Sequence, residues 1–160
     1  PERLPAGRWL VLDGVQDPGN VGTIWRTADA FETDGLLLTN ACADPFGWKT
    51  IRATMGAAFR MPVWEVTPEQ LATLTTQSGL PLLATALRAD TVPLQAVHAP
   101  RTAVVIGSEG NGVSETVLRL CRETVCIPMN PRCESLNAAA AAAVVLWEMY
   151  RDRCSGTEEE

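Results

Sequence analysis

Short apolar runs alternate with segments of helical periodicity along most of the chain, and this alternation is the strongest constraint on its fold. The apolar runs lie at residues 9–15, 35–40, 61–66, 80–87, 102–110 and 124–129. Continuous apolar runs of this length are typical of strands that are buried on both faces, as in parallel sheets. We therefore predict an α/β fold in which helices cover both faces of a mostly parallel sheet.

The helical segments carry recognisable start signals. Apolar residues recur at helical spacing from Val21 to Phe31, which predicts a helix with Asn20 as its N-cap. A second helix is predicted after Thr67 as N-cap, with Pro68 at the first helical position. A short helix is expected at 114–121, and a long one from about Ser135 to 153.

Length and composition exclude several classes of protein. The 160 residues suit one domain, and no apolar stretch approaches the roughly 18 residues of a membrane span. The N-terminus lacks the features of a signal peptide, so we expect a cytoplasmic protein without a membrane partner. Five cysteines without a CxxC pair predict reduced thiols and no metal site. The single histidine, His98, is expected on the surface and argues against a Ser-His-Asp hydrolase.

Net charge leaves nucleic-acid binding open. The chain carries −6, of which three charges lie in the acidic tail 155–160, a segment that we expect to be disordered. Overall acidity weakly disfavours a nucleic-acid ligand. Nearly all positive charge is arginine, however, and arginine binds phosphate in a bidentate manner.

Three unusual loops follow predicted strands: DGVQDPGN, GSEGNG and IPMNPRCESLN. Ligands of parallel sheets bind outside the carboxyl ends of the strands, so the three loops are expected to share one site. Taken singly, each also has a structural interpretation as a turn or a helix cap, with Ser135 as an N-cap and Glu109 capping the following turn. The second loop matches neither the dinucleotide fingerprint nor the P-loop.

In this order the loops resemble the three motifs of the SpoU (TrmH-type) RNA 2′-O-ribose methyltransferases, a family of the SPOUT superfamily. The matching segments read DPGNVGTIWRTADAF, VVIGSEGNGVSE and IPMNPRCESLNAAAAAAVVLWE, with KTIRATMGAAFRMPV as the linking segment. The resemblance covers roughly residues 10–150. Two positions depart from the pattern: the glycine that is common directly after Phe31 is absent, and Pro131 stands where the family often has glycine.

The resemblance implies a reaction, a fold and an assembly. The family transfers a methyl group from S-adenosylmethionine to a ribose 2′-hydroxyl of RNA, releases S-adenosylhomocysteine and needs no metal. Its sheet carries a C-terminal deep trefoil knot that forms the cofactor cleft, and it works as a homodimer. Ribosomal RNA is the favoured substrate here, and transfer RNA stays possible.

The motif positions define the candidate site. The implied catalytic residues are Asn20, Arg26, Glu109, Ser135 and Asn137. The implied cofactor-binding residues are Thr85, Ala86, Leu87, Ile106, Gly107, Gly110, Ile127, Pro128, Met129 and Leu136. Of the second set, Ile127, Met129 and Leu136 are expected to pack on the adenine.

Arg26 is the family's proposed agent for activating the hydroxyl. Because arginine stays protonated in proteins, we interpret Arg26 as a clamp on a target phosphate that lowers the pKa of the hydroxyl. Arg52, Arg60 and Arg132 are further candidates for contact with RNA.

The sequence leaves more than one domain organisation and more than one function open. We expect residues 1–154 to form a catalytic domain, and the chain to be part of a longer protein with an N-terminal RNA-binding domain. A catalytically silent relative that binds RNA or cofactor is the main alternative function. A nucleotide-dependent dehydrogenase lacks its fingerprint, and a simple dimerisation module leaves the polar loops unexplained.

Overall fold

The computed structural model describes residues 2–39, 41–86, 90–97, 101–133 and 135–155, with side chains up to residue 151. The strands are β1 (Arg8–Asp13), β2 (Gly35–Thr39), β3 (Val63–Val66), β4 (Leu82–Thr85), β5 (Val92–Pro93), β6 (Thr102–Gly107) and β7 (Glu123–Cys126). The α-helices are α1 (Pro18–Ala30), α2 (Trp48–Ala53), α3 (Pro68–Ser78), α4 (Glu115–Leu118) and α5 (Ala138–Ser155). Single 3₁₀ turns lie at Ala57–Phe59 and Leu94–Ala96.

All seven strands belong to one sheet, in the order β3-β2-β1-β6-β4-β7-β5. Every neighbouring pair is parallel, so the predicted parallel α/β fold is confirmed. The chain proceeds from β1 outward through β2 and β3, and then returns to build the other half on β6. The order therefore reverses between β1 and β6, which is where open parallel sheets bind ligands.

Strand β1 shows why the apolar runs are continuous. Alternate residues of a strand face opposite sides of the sheet. Leu10 and Leu12 lie in the core on the side of α1 and α5, whereas Trp9 and Val11 lie in the core on the side of α3 and α4. All four side chains are buried, so both faces of this strand require apolar residues and the sequence does not alternate with polar ones.

Helix α1 begins earlier than predicted, and the assignment of Asn20 as its N-cap is wrong. Asp17 is the cap: its Oδ1 accepts a hydrogen bond from the backbone N–H of Asn20 at 3.0 Å. Pro18 occupies the first turn, where its fixed φ suits a helix and its missing N–H costs nothing. The consequence is that the Asn20 side chain is not needed as a cap.

Helix α5 begins later than predicted, at Ala138 instead of about Ser135. Asn137 caps it, because its Oδ1 accepts from the N–H groups of Ala139 at 2.8 Å and Ala140 at 3.3 Å. For α3, in contrast, the predicted cap is confirmed, and Thr67 forms a reciprocal capping box with Gln70.

Two elements had no counterpart in the sequence-based prediction, the short strand β5 and helix α2. Helix α2 packs closely on α1 at Gly22. A Cβ atom there would lie 2.5 Å from both the Ala53 Cβ and the Thr50 carbonyl oxygen, so only glycine permits this contact. The described part of the chain contains no helix with the length and apolarity to cross a membrane.

Candidate active site at the carboxyl edge of the sheet

The three predicted loops meet where the strand order reverses. The first leaves β1 toward α1, the second leaves β6, and the third joins β7 to α5. Because β1 and β6 are paired in register up to Asp13 and Gly107, their loops emerge side by side. The sheet topology thus explains why segments far apart in sequence share one site.

The carboxylate of Glu109 connects all three loops. Its Oε1 accepts hydrogen bonds from the side-chain amides of Asn20 and Asn137, each at 2.9 Å. The backbone N–H of Ala138, at the start of α5, donates to the same oxygen at 3.3 Å. We call Asn20, Glu109 and Asn137 the amide–carboxylate cluster. Glu109 therefore joins distant loops, and the interpretation that it caps the following turn is wrong.

Asn137 has two tasks in this cluster. Its Oδ1 caps α5, while its Nδ2 donates to Glu109 and lies 3.4 Å from the Asn20 Oδ1. An amide is suited to both tasks because it carries a donor and an acceptor on one planar group. The carboxylate of Glu109 is also favourably placed near the positive end of the α5 dipole.

The second loop is a tight turn that is closed on itself. Ser108 and Gly112 exchange two backbone hydrogen bonds, and Gly112 has a φ of +64°, where glycine is favoured. A Cβ at Gly107 would lie 2.2 Å from the backbone carbon of Gly112. This close approach holds Glu109 at the tip of the turn.

An apolar cavity of about 270 Å³ lies beside the cluster, between the ends of β4, β6 and β7. Seven of the predicted cofactor-binding residues line it: Thr85, Ala86, Ile106, Gly107, Ile127, Met129 and Leu136. Ser135, predicted as catalytic, lines it as well. Met129 and Leu136 are each 37% exposed, so apolar surface faces the opening.

Two predicted cofactor-binding residues do not line this cavity. Gly110 lines a neighbouring polar cavity instead, and Pro128 lines neither of the two. Leu87 lies outside the described residues.

Several lining residues were not predicted: Ser108, Gly112, Val125, Cys126, Ala138 and Ala141. Ala138 and Ala141 are three positions apart and therefore share a face of α5. Their small side chains leave room for the cavity, which explains two of the six consecutive alanines. The alanine run that follows Asn137 within the third motif was the signal in the sequence.

The neighbouring polar cavity has a volume of about 450 Å³ and shares Ser108, Glu109, Gly112 and Ala138 with the apolar one. Its other lining residues are largely polar or small: Asp13, Gly14, Val15, Gln16, Asp17, Asn20, Ala41, Gly110, Asn111 and Ser114. The amide–carboxylate cluster therefore lies at the boundary between the apolar cavity and the polar cavity.

Two predicted catalytic residues lie outside the cluster. Arg26 is exposed on α1, lines neither cavity, and makes no hydrogen bond or ion pair with the described residues. Ser135 is exposed, and its side chain has no hydrogen-bond partner among the residues described.

The cysteines whose side chains are described (Cys42, Cys121, Cys126, Cys133) are free thiols. Burial, together with the charge of Asp13, raises the pKa of Cys121 to about 12, and burial also raises the pKa of Cys42. Both thiols are therefore protonated at neutral pH. Within the described ranges, no group of three or more His, Cys, Asp or Glu residues is arranged to hold a metal ion.

Comparison with known families decides the relationship. The family model described as "SpoU rRNA Methylase family" matches residues 7–147. The chain belongs to this family. The resemblance found in the three motifs is thereby confirmed, and SpoU proteins supply the relevant comparison for the site.

Two relatives and one solved structure place the chain within the SpoU family. It is 41% identical over 146 residues to an uncharacterized tRNA/rRNA methyltransferase of Synechocystis, covering 90% of this chain and 53% of that protein. It is 35% identical over 150 residues to the 23S rRNA (guanosine(2553)-2′-O)-methyltransferase RlmP of Bacillus subtilis, covering 92% and 60%. The AdoMet-bound rRNA methyltransferase of Sinorhizobium meliloti superposes with a TM-score of 0.86 at 34% identity, covering 91% of this chain and 56% of that one. The chain thus spans a little more than half the length of these relatives.

Two glycines of the second loop provide a matched test of its geometry. Gly107→Ala is expected to lower the free energy of unfolding by about 1–3 kcal/mol, because the added Cβ overlaps backbone that cannot move aside. Gly110→Ala is the control, since nothing lies within 4 Å of its Cβ position. Urea unfolding of both variants measures the difference, and equal stability would contradict the tight turn.

Proposed function

We propose that the chain is a catalytic domain that transfers a methyl group from S-adenosylmethionine to a ribose 2′-hydroxyl of RNA in the cytoplasm. The observation that carries the proposal is the amide–carboxylate cluster at the boundary of an apolar and a polar cavity. Ribosomal RNA is the substrate that we favour, because RlmP, to which the chain is similar, is named for 23S rRNA.

The apolar cavity has the properties that the cofactor requires. Apolar side chains of Ile127, Met129 and Leu136 border it, which suits the faces of an adenine ring. The backbone N–H groups of these three residues make no hydrogen bond with the described residues and are free to reach a ligand. When bound there, S-adenosylmethionine supplies an activated methyl group on a sulfonium centre.

The polar cavity is the proposed acceptor site. Methyl transfer requires in-line approach of the ribose oxygen, so the orientation of the acceptor contributes much of the rate. Asn20 and Glu109 border this cavity and lie next to the apolar one. We assign both, with Asn137, to positioning: the amide N–H groups donate to Glu109 and thereby fix the loops that shape the two cavities.

The proposed homodimer places the exposed face of α1 and α5 against a second copy. Phe31, Trp147 and Tyr150 form an aromatic group there, with ring centroids 5.6–6.2 Å apart. Trp147 remains 50% exposed and Val144 41% exposed. Burial of this apolar surface would stabilise an association of two copies.

The proposed trefoil knot concerns the third loop. Its supports are the family membership and the contact of the chain after β7 with the turn after β6, through Asn137 and Ala138 to Glu109. We propose that this segment is threaded through a preceding loop before α5 begins.

Cofactor binding and methyl transfer are tested separately. Calorimetry is expected to show S-adenosylmethionine binding, and Leu136→Asp to weaken it by at least about tenfold, because a charge would enter the apolar cavity. Leu136→Met keeps the apolar volume and is the matched control. Absence of binding by the unaltered chain would refute the proposal.

The transfer assay uses ribosomal and transfer RNA with a radiolabelled methyl donor, followed by mass spectrometry of the nucleosides. Methylated ribose in ribosomal RNA is expected. Binding without transfer identifies the catalytically silent alternative, and methylation of transfer RNA alone would overturn the substrate assignment.

Arg26 tests how the hydroxyl is activated. If its charge acts on a phosphate, Arg26→Lys is expected to retain measurable transfer, whereas Arg26→Ala loses most of it. RNA affinity is measured alongside by fluorescence anisotropy. A lysine variant as inactive as the alanine variant, with RNA binding intact, would contradict the role of a point charge.

Substitutions at Asn137 distinguish its role as the cap of α5 from its role in positioning Glu109. Asn137→Asp keeps a good N-cap but replaces the donor to Glu109 with a second carboxylate. The cap of α5 is kept, while repulsion between the two carboxylates is expected to displace the loops and lower methyl transfer by about 10- to 100-fold, since a misplaced acceptor costs that much. Asn137→Ala is expected to lose about 1 kcal/mol of stability as well. Full activity of the aspartate variant would remove Asn137 from the site.

A further inference from the structure

Four large apolar side chains within residues 46–59, on α2 and in the segments directly before and after it, are exposed. Phe46 and Trp48 are each 65% exposed, Met55 is 67% exposed, and Phe59 is 89% exposed. They make up four of the eight exposed large apolar side chains in the described part of the chain. We call Phe46, Trp48, Met55 and Phe59 the aromatic platform. Grouped apolar exposure of this kind marks an interaction surface.

The charge around the platform is positive, in contrast to the rest of the chain. Residues 44–64 contain Lys49, Arg52 and Arg60 and one acidic residue, Asp44, whose carboxylate accepts from the Phe46 N–H at 2.9 Å, although the chain as a whole carries −6. The Lys49 Nζ lies 5.6 Å and the Arg52 Cζ 5.7 Å from the centroid of the Trp48 ring. Arg60 is paired with Asp29 at 2.8 Å, so Lys49 and Arg52 are the available cations.

The platform is fixed to the helix that begins at the site. The contact at Gly22 brings Thr50 and Ala53 of α2 against α1 without an intervening side chain. Thr50 is fully buried, and its hydroxyl donates to the carbonyl of Asp44 at 3.0 Å. The inner face of α2 is therefore held, and Trp48, Lys49 and Arg52 of the same helix are exposed to solvent.

We propose that the aromatic platform binds unpaired RNA nucleotides that flank the methylated one; this rests on the proposed function of the site. Bases stack on Trp48 and Phe59, and Lys49 and Arg52 contact the adjoining phosphates. Exposed aromatic rings beside cations are the elements with which proteins bind single strands. The local positive charge selects a polyanion over an apolar protein partner, which would leave Lys49 and Arg52 unpaired.

Stacking is tested with Trp48→Ala, Phe59→Ala and the double variant. The probe is a short fluorescein-labelled oligoadenylate, free or annealed to its complement. Each single variant is expected to bind the free strand about 5- to 150-fold more weakly, and the duplex nearly unchanged, because paired bases cannot stack on the platform. Trp48→Tyr retains a ring and is expected to restore most of the affinity.

The proposed phosphate contacts of Lys49 and Arg52 are tested with a separate set of variants. Lys49→Gln combined with Arg52→Gln is expected to reduce the slope of log affinity against log salt by about 1.4, at roughly 0.7 for each phosphate contact of a single strand. Arg119→Gln, an exposed arginine at the end of α4, is the control and is expected to leave the slope unchanged.

Two further measurements distinguish the possible failures. S-adenosylmethionine affinity is expected to be the same in all these variants, so a chain that binds no cofactor refutes the proposed function and not the platform. Unchanged binding of the free strand by the double variant would overturn the platform. So would an equal loss for the duplex, or a shift from dimer to monomer in sedimentation without a change in RNA affinity, which would assign the surface to self-association.

Discussion

The hydrogen bonds to one oxygen of Glu109 are the interaction on which the site depends. Two amides and one backbone N–H, from the loops after β1 and β7, meet on this oxygen at the tip of the turn after β6. The three loops are separated in sequence, so the hydrogen bonds to this carboxylate are what connects them. Its loss would leave two asparagine amides without their acceptor and the start of α5 without its anion.

The two cavities beside this carboxylate follow from the parallel sheet. All carboxyl ends of the strands lie along one edge, and the reversal between β1 and β6 separates the loops there. Ile106 near the end of β6 and Ile127 directly after β7 make one cavity apolar. The polar residues after β1, among them Asp17 and Asn20, make the other cavity polar. An apolar and a polar cavity thus lie side by side at one edge of the sheet.

The motifs predict much of the grouping of residues at the candidate site, and the errors have specific causes. Of the nine predicted cofactor-binding residues that the structure describes, seven line the apolar cavity, and Asn20, Glu109 and Asn137 meet as one cluster. The helix starts were wrong because Asp17 and Asn137 are as suitable for capping as Asn20 and Ser135. The position of Arg26 relative to the cavities could not be predicted from local sequence, because the pattern around an exposed helical arginine is the same whether or not its side chain faces the site.

The sequence by itself determined the class of fold and the family. Continuous apolar runs require strands buried on both faces, and the three motifs are specific enough to identify SpoU proteins. Only the tertiary structure decided that the amides of Asn20 and Asn137 share one carboxylate oxygen, and that the residues of the aromatic platform are exposed while α2 is fixed to α1. The reason is physical. Periodicity and capping are local signals, whereas contacts between distant loops depend on strand order, which local hydrophobic patterns do not encode.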